Sequence, residues 1–224
     1  MPVQASNHQK LFLAVDSVIF SVQDNQLNAL MIQMQKKPYT NKWAFPGGII
    51  KQNETTEVAA RRILKEQAGV SDVYLEQLAT FDDPKRDPFG RVVSVAYFAL
   101  VPANEVKLQD SSKFNNVTWW PVNNLPELAY DHKKIAKTAL ERLRAKLEYS
   151  NVAYSLLPKE FTLSDLQGVY ESILGRKLDK RNFRRKILSL DIILPSGNKV
   201  TGKSHRPAAL YKFKDQKLVY VDIL

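Results

Sequence analysis

A run of basic side chains near the C-terminus has the composition and spacing to bind an anion. Apolar residues recur at intervals of four and three within 179–190, at Phe183, Ile187 and Leu190. This spacing predicts a helix with one buried face, and at about 100° per residue Arg181 and Arg185 point away from it. Because arginine reads guanine and asparagine reads adenine in a major groove, we predict a DNA-binding helix. Its predicted contact residues are Lys180, Arg181, Asn182, Arg184 and Arg185.

The neighbouring segments match what a winged helix-turn-helix requires. A first helix is predicted from Thr162, the expected N-cap, with Asp165 at the capping-box position, to Gly175. A short connection then leads to the basic helix, as in a helix-turn-helix. A turn is predicted at 194–197, and the basic loop that precedes the strand 208–213 has the position of a wing. Its predicted DNA contacts are Lys203, His205 and Arg206. The alternative is a basic surface that only faces solvent.

A second set of chemically capable residues lies in the N-terminal half. It follows the pattern Gly48-x5-Glu54-x7-Arg62-x3-Glu66-x2-Gly69. This pattern resembles the Nudix box, a helical motif of enzymes that cleave nucleoside diphosphate derivatives. In that family three carboxylates on one helix face hold divalent metal, which neutralises a diphosphate and activates water. The resemblance implies that positions 63, 66 and 67 would carry them.

The box departs from the family pattern at the positions of the metal-binding carboxylates. Ile63 and Gln67 stand at two of the three carboxylate positions, so Glu66 is the one residual metal ligand. A single carboxylate is a poor site for Mg²⁺, which prefers several oxygen ligands. We therefore expect no catalytic residue, no metal, no cofactor and weak or absent hydrolysis. The sequence leaves open a replacement ligand from outside the box, at Glu76 or Asp82.

A cleft that has lost its metal ligands can still bind a ligand without cleaving it. Arg86 and Arg91 have the charge to hydrogen-bond a phosphate, although solvated surface charges are the alternative. Glu54 is expected to pair with Arg62 rather than to replace a lost ligand. The residues predicted to bind a small effector are Phe45, Gly48, Arg62, Glu66, Arg86, Asp87 and Arg91.

Predicted strands and helices surround both sets of residues. Strands are expected over 11–20, 27–33, 73–81, 91–101 and 117–120, and helices over 54–68 and 131–148, the latter capped by Asp131. The predicted fold class is α+β: a Nudix-type α/β/α sandwich with a mixed sheet, followed by a winged helix-turn-helix domain. The expected domains are 1–150, which binds the effector, and 151–224, which binds DNA.

Composition supports this division. Residues 155–224 hold 14 of the 33 basic and 7 of the 23 acidic residues, so they carry +7 of the net charge of +10. Such a charge favours an anionic partner, for which double-stranded DNA is the prediction. The absence of cysteine excludes disulfides and thiolate metal sites. With neither a signal peptide nor an apolar run of about 18 residues, we expect a cytoplasmic protein with no membrane partner.

The chain as a whole resembles the Nudix-related transcriptional regulators of NAD metabolism, the NrtR family. The segments that carry the resemblance are 45–48, the altered box, 86–97, 119–121, 131–132, 156–163, 179–185 and 205–211. The resemblance implies a homodimer that represses transcription from a palindromic operator and senses ADP-ribose or a related NAD metabolite. A sister branch, AraR-like, responds to arabinose, and the sequence does not choose between these effectors.

Two other functions remain open on the sequence alone. One is a Nudix pyrophosphatase acting on ADP-ribose or a similar nucleoside diphosphate derivative. The other is a nucleic-acid-binding module that senses no ligand. Release of AMP from ADP-ribose in the presence of Mg²⁺ would support the pyrophosphatase. Thermal stabilisation by a nucleotide or a sugar would exclude the module that senses no ligand.

Overall fold

A mixed β-sheet forms the centre of the N-terminal half. The computed structural model describes residues 10–102, 116–200 and 207–223. The strands are β1 (Phe12–Gln23), β2 (Gln26–Gln33), β3 (Trp43–Ala44), β4 (Gly47–Ile49), β5 (Tyr74–Phe81), β6 (Val92–Leu100) and β7 (Val117–Pro121). The main order is β3-β2-β1-β6-β5, with β4 on β1 and β7 on β2. The pairing of β1 with β6 is parallel and the other pairings are antiparallel.

Two helices cover opposite faces of this sheet. They are α1 (Thr56–Ala68) and α2 (His132–Tyr149). Alternate residues of β1 face opposite sides, so Val15 packs with α1, whereas Val18 packs in the cluster that includes α2. This explains why β1 is an almost continuous apolar run, and it confirms the predicted α/β/α sandwich. The N-cap of α1 is Thr55, which accepts a hydrogen bond from the N–H of Val58, and Gly69 ends the helix with a φ of 66°.

The C-terminal segment forms a winged helix. It contains α3 (Leu163–Leu174), α4 (Lys180–Ser189) and the hairpin of β8 (Ile193–Lys199) and β9 (Ala209–Phe213). Thr162 caps α3 and forms the predicted reciprocal capping box with Asp165. The turn predicted at 194–197 is wrong. These residues lie within β8, because pairing with β9 continues across an irregularity that contains Gly197, whose φ is 89°.

The two halves share one hydrophobic core. Its largest cluster runs from Phe20 of β1 through Leu143 of α2 to Leu166 of α3. The chain between α2 and α3 includes a buried 3₁₀ turn, Val152–Leu156, so the connection is packed rather than extended through solvent. The domain division at residues 150 and 151 stays a prediction. Within the described ranges, no helix combines the length and the apolar character that a membrane span requires.

Candidate functional sites

Helix α4 is held by its apolar face and begins with a side-chain cap. Asp179 accepts a hydrogen bond from the N–H of Asn182 over 2.7 Å. Phe183 and Ile187 are buried, and the ring of Phe183 lies 5.2 Å from that of Tyr170 on α3. This packing fixes which side of α4 faces outward.

The outward side of α4 is cationic. Its exposed residues include Lys180, Arg181, Asn182 and Arg185. The guanidinium of Arg185 donates to the side-chain oxygen of Asn182 over 3.1 Å, so these two polar groups lie together on the surface. The side chains predicted to face away from the core do so, although their contact with DNA stays a prediction.

Arg184 differs from the other predicted DNA-contacting residues. It is half-buried, and its Nη2 donates to the hydroxyl of Ser164 over 2.9 Å. This bond ties α4 to the first turn of α3. Contact of Arg184 with DNA stays a prediction. The predicted wing residues Lys203, His205 and Arg206 lie outside the described residues.

The altered box region is an ion-pair network on α1 and the loop before it. Arg62 donates to Glu54 over 2.6 Å and 2.9 Å, which confirms the expected pairing. These hydrogen bonds lower the pKa of Glu54 to about 2. Arg62 also donates to Glu66 over 3.3 Å, and Lys51 lies 3.8 Å from the same carboxylate. The residual carboxylate Glu66 is therefore already paired with cations of the chain.

The two substituted positions of the box are structural. Ile63 is 1% exposed and packs with Val15 and Tyr97 in the core beneath α1. Gln67 exchanges two hydrogen bonds with Gly47: it accepts from the N–H over 3.2 Å and donates to the carbonyl over 3.0 Å. A carboxylate has no donor for the second bond. Both residues therefore stabilise the fold, at positions where the family resemblance implies metal ligands.

Of the two carboxylates considered as replacement ligands, that of Glu76 is engaged elsewhere. Glu76 pairs with Lys146 over 2.7 Å and with Arg142 over 3.1 Å on α2. The backbone carbonyl of Asp82 accepts a hydrogen bond from Arg91 over 2.6 Å. In the parts of the chain that the structure describes, no three His, Asp or Glu side chains are grouped as a metal site would need.

A cavity of about 390 Å³ opens on the face of the sheet where α2 begins. Four of the predicted effector residues line it: Phe45, Gly48, Arg86 and Asp87. The other three, Arg62, Glu66 and Arg91, do not. Exposed apolar side chains form part of its wall, among them Phe12, Ile49 and Phe89. An apolar lining with a few convergent polar groups is typical of a small-molecule site.

The polar groups of this cavity converge on one buried arginine. Nη2 of Arg86 donates to Asp16 over 3.0 Å and to Asp131 over 2.8 Å, and Nε donates to Asp131 over 3.1 Å. Burial opposes ionisation of Asp16, but His132, Ser94 and Arg86 together lower its pKa to about 2. Asp16 was not predicted as a site residue. A lone carboxylate in a largely apolar strand was the available signal.

His132, which the family resemblance includes but which was not predicted as a site residue, connects the cavity to the loop that follows β3. Its Nδ1 accepts a hydrogen bond from the N–H of Phe45 over 3.0 Å, and the two rings are stacked with centroids 5.5 Å apart. Its Nε2 lies 3.5 Å from Oδ1 of Asp16. His132 therefore holds the backbone of a predicted effector residue and the buried carboxylate at once.

Asp131 is the N-cap residue of α2, as predicted, but the side-chain hydrogen bond expected of a cap is absent. The physical reason is competition: both carboxylate oxygens are bound to the guanidinium of Arg86. A charge-assisted bidentate pair is stronger than a single bond to a backbone N–H.

Comparisons with known proteins match both halves. The NUDIX domain model matches residues 11–143, and the model of the NrtR DNA-binding winged helix domain matches residues 153–213. A protein of Acinetobacter baylyi described as an ADPR responsive transcriptional repressor NtrR is 39% identical over 215 residues, or 94% of this chain and 85% of that protein.

Solved structures are also similar. Shewanella oneidensis NrtR complexed with a 27mer DNA is 37% identical, with a TM-score of 0.80 over 90% of this chain and 93% of that one. The NUDIX domain of the same protein complexed with ADP ribose is 34% identical, with a TM-score of 0.55 over 63% of this chain and 94% of that one.

A Nudix domain that shares its core with a winged helix defines the class of protein: a regulator in which a small-molecule-binding fold is joined to a DNA-binding fold. Within that class, the chain belongs to the NrtR family of Nudix-related transcriptional regulators. The family and the fold class predicted from the sequence are confirmed.

Proposed function

We propose that this protein represses transcription by binding operator DNA through α4, and that ADP-ribose or a related NAD metabolite binds the cavity beside Arg86 and releases the DNA. The observation that carries the proposal is the cationic outer face of α4, fixed by the burial of Phe183 and Ile187. The complex of a similar NrtR with a 27mer DNA supports this role for the winged helix.

The ligand assignment is supported by the cavity and by two relatives. The cavity combines apolar walls with a buried guanidinium, which suits a ligand that has both a flat ring and an anionic group. A relative is described as responsive to ADPR, and a similar NUDIX domain was crystallised with ADP ribose. Arabinose, the alternative effector, carries no charge that would use Arg86.

The proposal includes loss of hydrolysis. The positions of two metal-binding carboxylates hold a buried isoleucine, Ile63, and an amide bonded to Gly47, Gln67. Glu66 is paired with Arg62 and Lys51. Divalent metal would have to displace these contacts to bind, and it would then find a single carboxylate where it prefers several oxygen ligands.

Operator binding by the full chain, measured by fluorescence anisotropy, tests the proposal. The probe is the DNA upstream of the chain's own gene, alone and with saturating ADP-ribose, AMP or arabinose. We expect specific binding that ADP-ribose weakens, with a palindromic site occupied by a homodimer. If arabinose alone releases the DNA, arabinose is the effector in place of ADP-ribose. Equal affinity for operator and unrelated DNA would refute the proposal that the protein is a repressor.

The enzyme alternative is tested on the same preparation. The protein is incubated with ADP-ribose and Mg²⁺ or Mn²⁺, and AMP is quantified by chromatography. We expect no AMP above the protein-free control. Turnover at many cycles per molecule would establish a pyrophosphatase instead.

A further inference from the structure

The pairing of Arg86 with Asp131 joins the ligand cavity to the helix that leads to the DNA-binding half. We propose that this pair is the coupling element of the regulator: an anionic ligand takes Arg86, and Asp131 is released at the start of α2. The inference rests on the proposed function and adds the residues through which the ligand acts.

The charges around Arg86 favour the exchange of a carboxylate for an anionic ligand. One guanidinium faces two carboxylates, Asp16 and Asp131, and both are at most 10% exposed. A phosphate that enters the cavity finds in Arg86 the one cationic side chain among the described lining residues. It must therefore compete with the carboxylates already bound there, since buried anions repel each other strongly in a low-dielectric site.

The structure distinguishes which carboxylate gives way. Asp16 is also held by the hydroxyl of Ser94 over 2.6 Å and by the ring of His132. Among the described residues, the side chain of Asp131 is hydrogen-bonded to Arg86 alone. Asp131 also has an alternative state, because a carboxylate at an N-cap position can accept from a backbone N–H of the first turn. Its release is thus the less costly exchange.

Helix α2 connects this event to the helix-turn-helix. Its C-terminal half is anchored to β5, since Arg142 and Lys146 both pair with Glu76. From the same half, Nε of Arg144 donates to the carbonyl of Ile173 at the end of α3 over 2.8 Å. A change at the N-terminus of α2 therefore becomes a tilt about this anchor. The tilt reaches α3 next to Gly175, where the connection to α4 begins.

The test compares the wild-type chain with Asp131→Asn, which retains a side chain able to cap α2 but removes the charge that pairs with Arg86. For each protein, operator affinity is measured by anisotropy with and without saturating ADP-ribose, and ADP-ribose affinity is measured by calorimetry. The ratio of the two operator Kd values is the coupling. We expect a wild-type ratio of roughly 10 or more, within the usual range of allosteric coupling. For Asp131→Asn we expect a ratio close to one, with ADP-ribose binding retained.

The matched control is Asp83→Asn. The carboxylate of Asp83 lies 3.4 Å from the ammonium of Lys134 in the first turn of α2, and both side chains are exposed. Asp83 contacts Arg86 through its backbone carbonyl, which accepts the N–H of Arg86 over 3.0 Å, and the substitution leaves that bond in place. Its ratio should equal that of wild type. A second variant, Arg144→Met, leaves the cavity intact and should also lower the ratio, while ADP-ribose affinity stays within about twofold.

The outcomes separate the two proposals. A wild-type ratio in both Asp131→Asn and Arg144→Met, with circular dichroism showing folded proteins, overturns the coupling inference and leaves the proposed function standing. If Asp131→Asn does not fold, Arg144→Met alone decides. A ratio of one in the wild-type protein sinks the proposed function, and this inference with it.

Discussion

Gln67 and Gly47 are joined by two hydrogen bonds in opposite directions, one from the glycine N–H and one to its carbonyl oxygen. The pair is separated by 20 residues and connects the end of α1 to the start of β4. Gly47 has no room for a side chain, since an added Cβ would clash with Oδ1 of Asp16. The amide therefore braces the loop that borders the cavity.

Replacement of Gln67 by glutamate should destabilise the protein rather than repair a catalytic site. The carboxylate loses the donor for the carbonyl of Gly47 and places a negative charge beside it, at a cost of about 1–3 kcal/mol. Urea unfolding followed by tryptophan fluorescence measures the change. The exposed Glu57→Gln change on the same helix is the control, with an expected effect within about 0.5 kcal/mol. Unchanged stability of Gln67→Glu would show that the bracing is unimportant.

Arg181→Ala and Arg185→Ala should each weaken specific operator binding. Both side chains are exposed on the outer face of α4, where a bidentate contact with guanine is worth about 1–3 kcal/mol of base discrimination. Anisotropy with the operator and with a scrambled duplex measures the loss of specificity.

Arg61→Ala is the matched control for these two variants. Arg61 is an exposed arginine on α1, paired with Glu57 over 2.9 Å, so its removal changes the net charge equally but leaves α4 intact. Operator affinity should fall only slightly, in line with the lost long-range charge. Equal losses in all three variants would indicate that only net charge matters.

Lys180→Ala should act on affinity without changing base preference. Lys180 is exposed at the first residue of α4, and a lysine ammonium is a point charge suited to a phosphate. The slope of log Kd against log salt should fall by about one when one phosphate contact is lost. Titrations at four salt concentrations measure it. An unaltered slope would exclude a phosphate contact at this residue.

Acid should weaken the folded state through Asp16. Its folded-state pKa of about 2 lies below its ordinary value, so the stabilisation is complete above about pH 4 and is lost as pH falls towards 2. The expected contribution is about 2 kcal/mol. Asp16→Asn should therefore be less stable than wild type at pH 6, and the difference should shrink by about this amount near pH 2. A difference that stays constant across this range would refute the assignment.

Local features of the fold were predictable because their causes lie within a few residues. The capping box of Thr162 and Asp165, the end of α1 at Gly69 and the two-sided character of α4 all follow from spacing along one element. The same holds for the pair of Glu54 and Arg62, which lie on one side of one helix and its preceding loop. Two of the four predicted effector residues that line the cavity, Phe45 and Gly48, belong to this group because they lie in one loop that its Pro-Gly-Gly sequence predicts.

The remaining parts of the site depend on contacts between distant positions. Arg86 is 70 residues from Asp16 and 45 from Asp131, so neither ion pair has a signature in local spacing. The turn predicted at 194–197 failed for the same reason, because its pairing partner in β9 decides its conformation.

By itself, the sequence determined the family, the order of most elements and the positive charge on the outer face of α4. These features follow from motifs, periodicity and composition, which are local properties of the chain. Only the tertiary structure decided that the side chain of Asp131 binds Arg86 instead of capping its own helix. It also decided that Gln67 hydrogen-bonds to Gly47, at a position where the family resemblance implies a metal ligand. The physical reason is that a buried polar group takes the strongest partner within reach, and reach is set by packing.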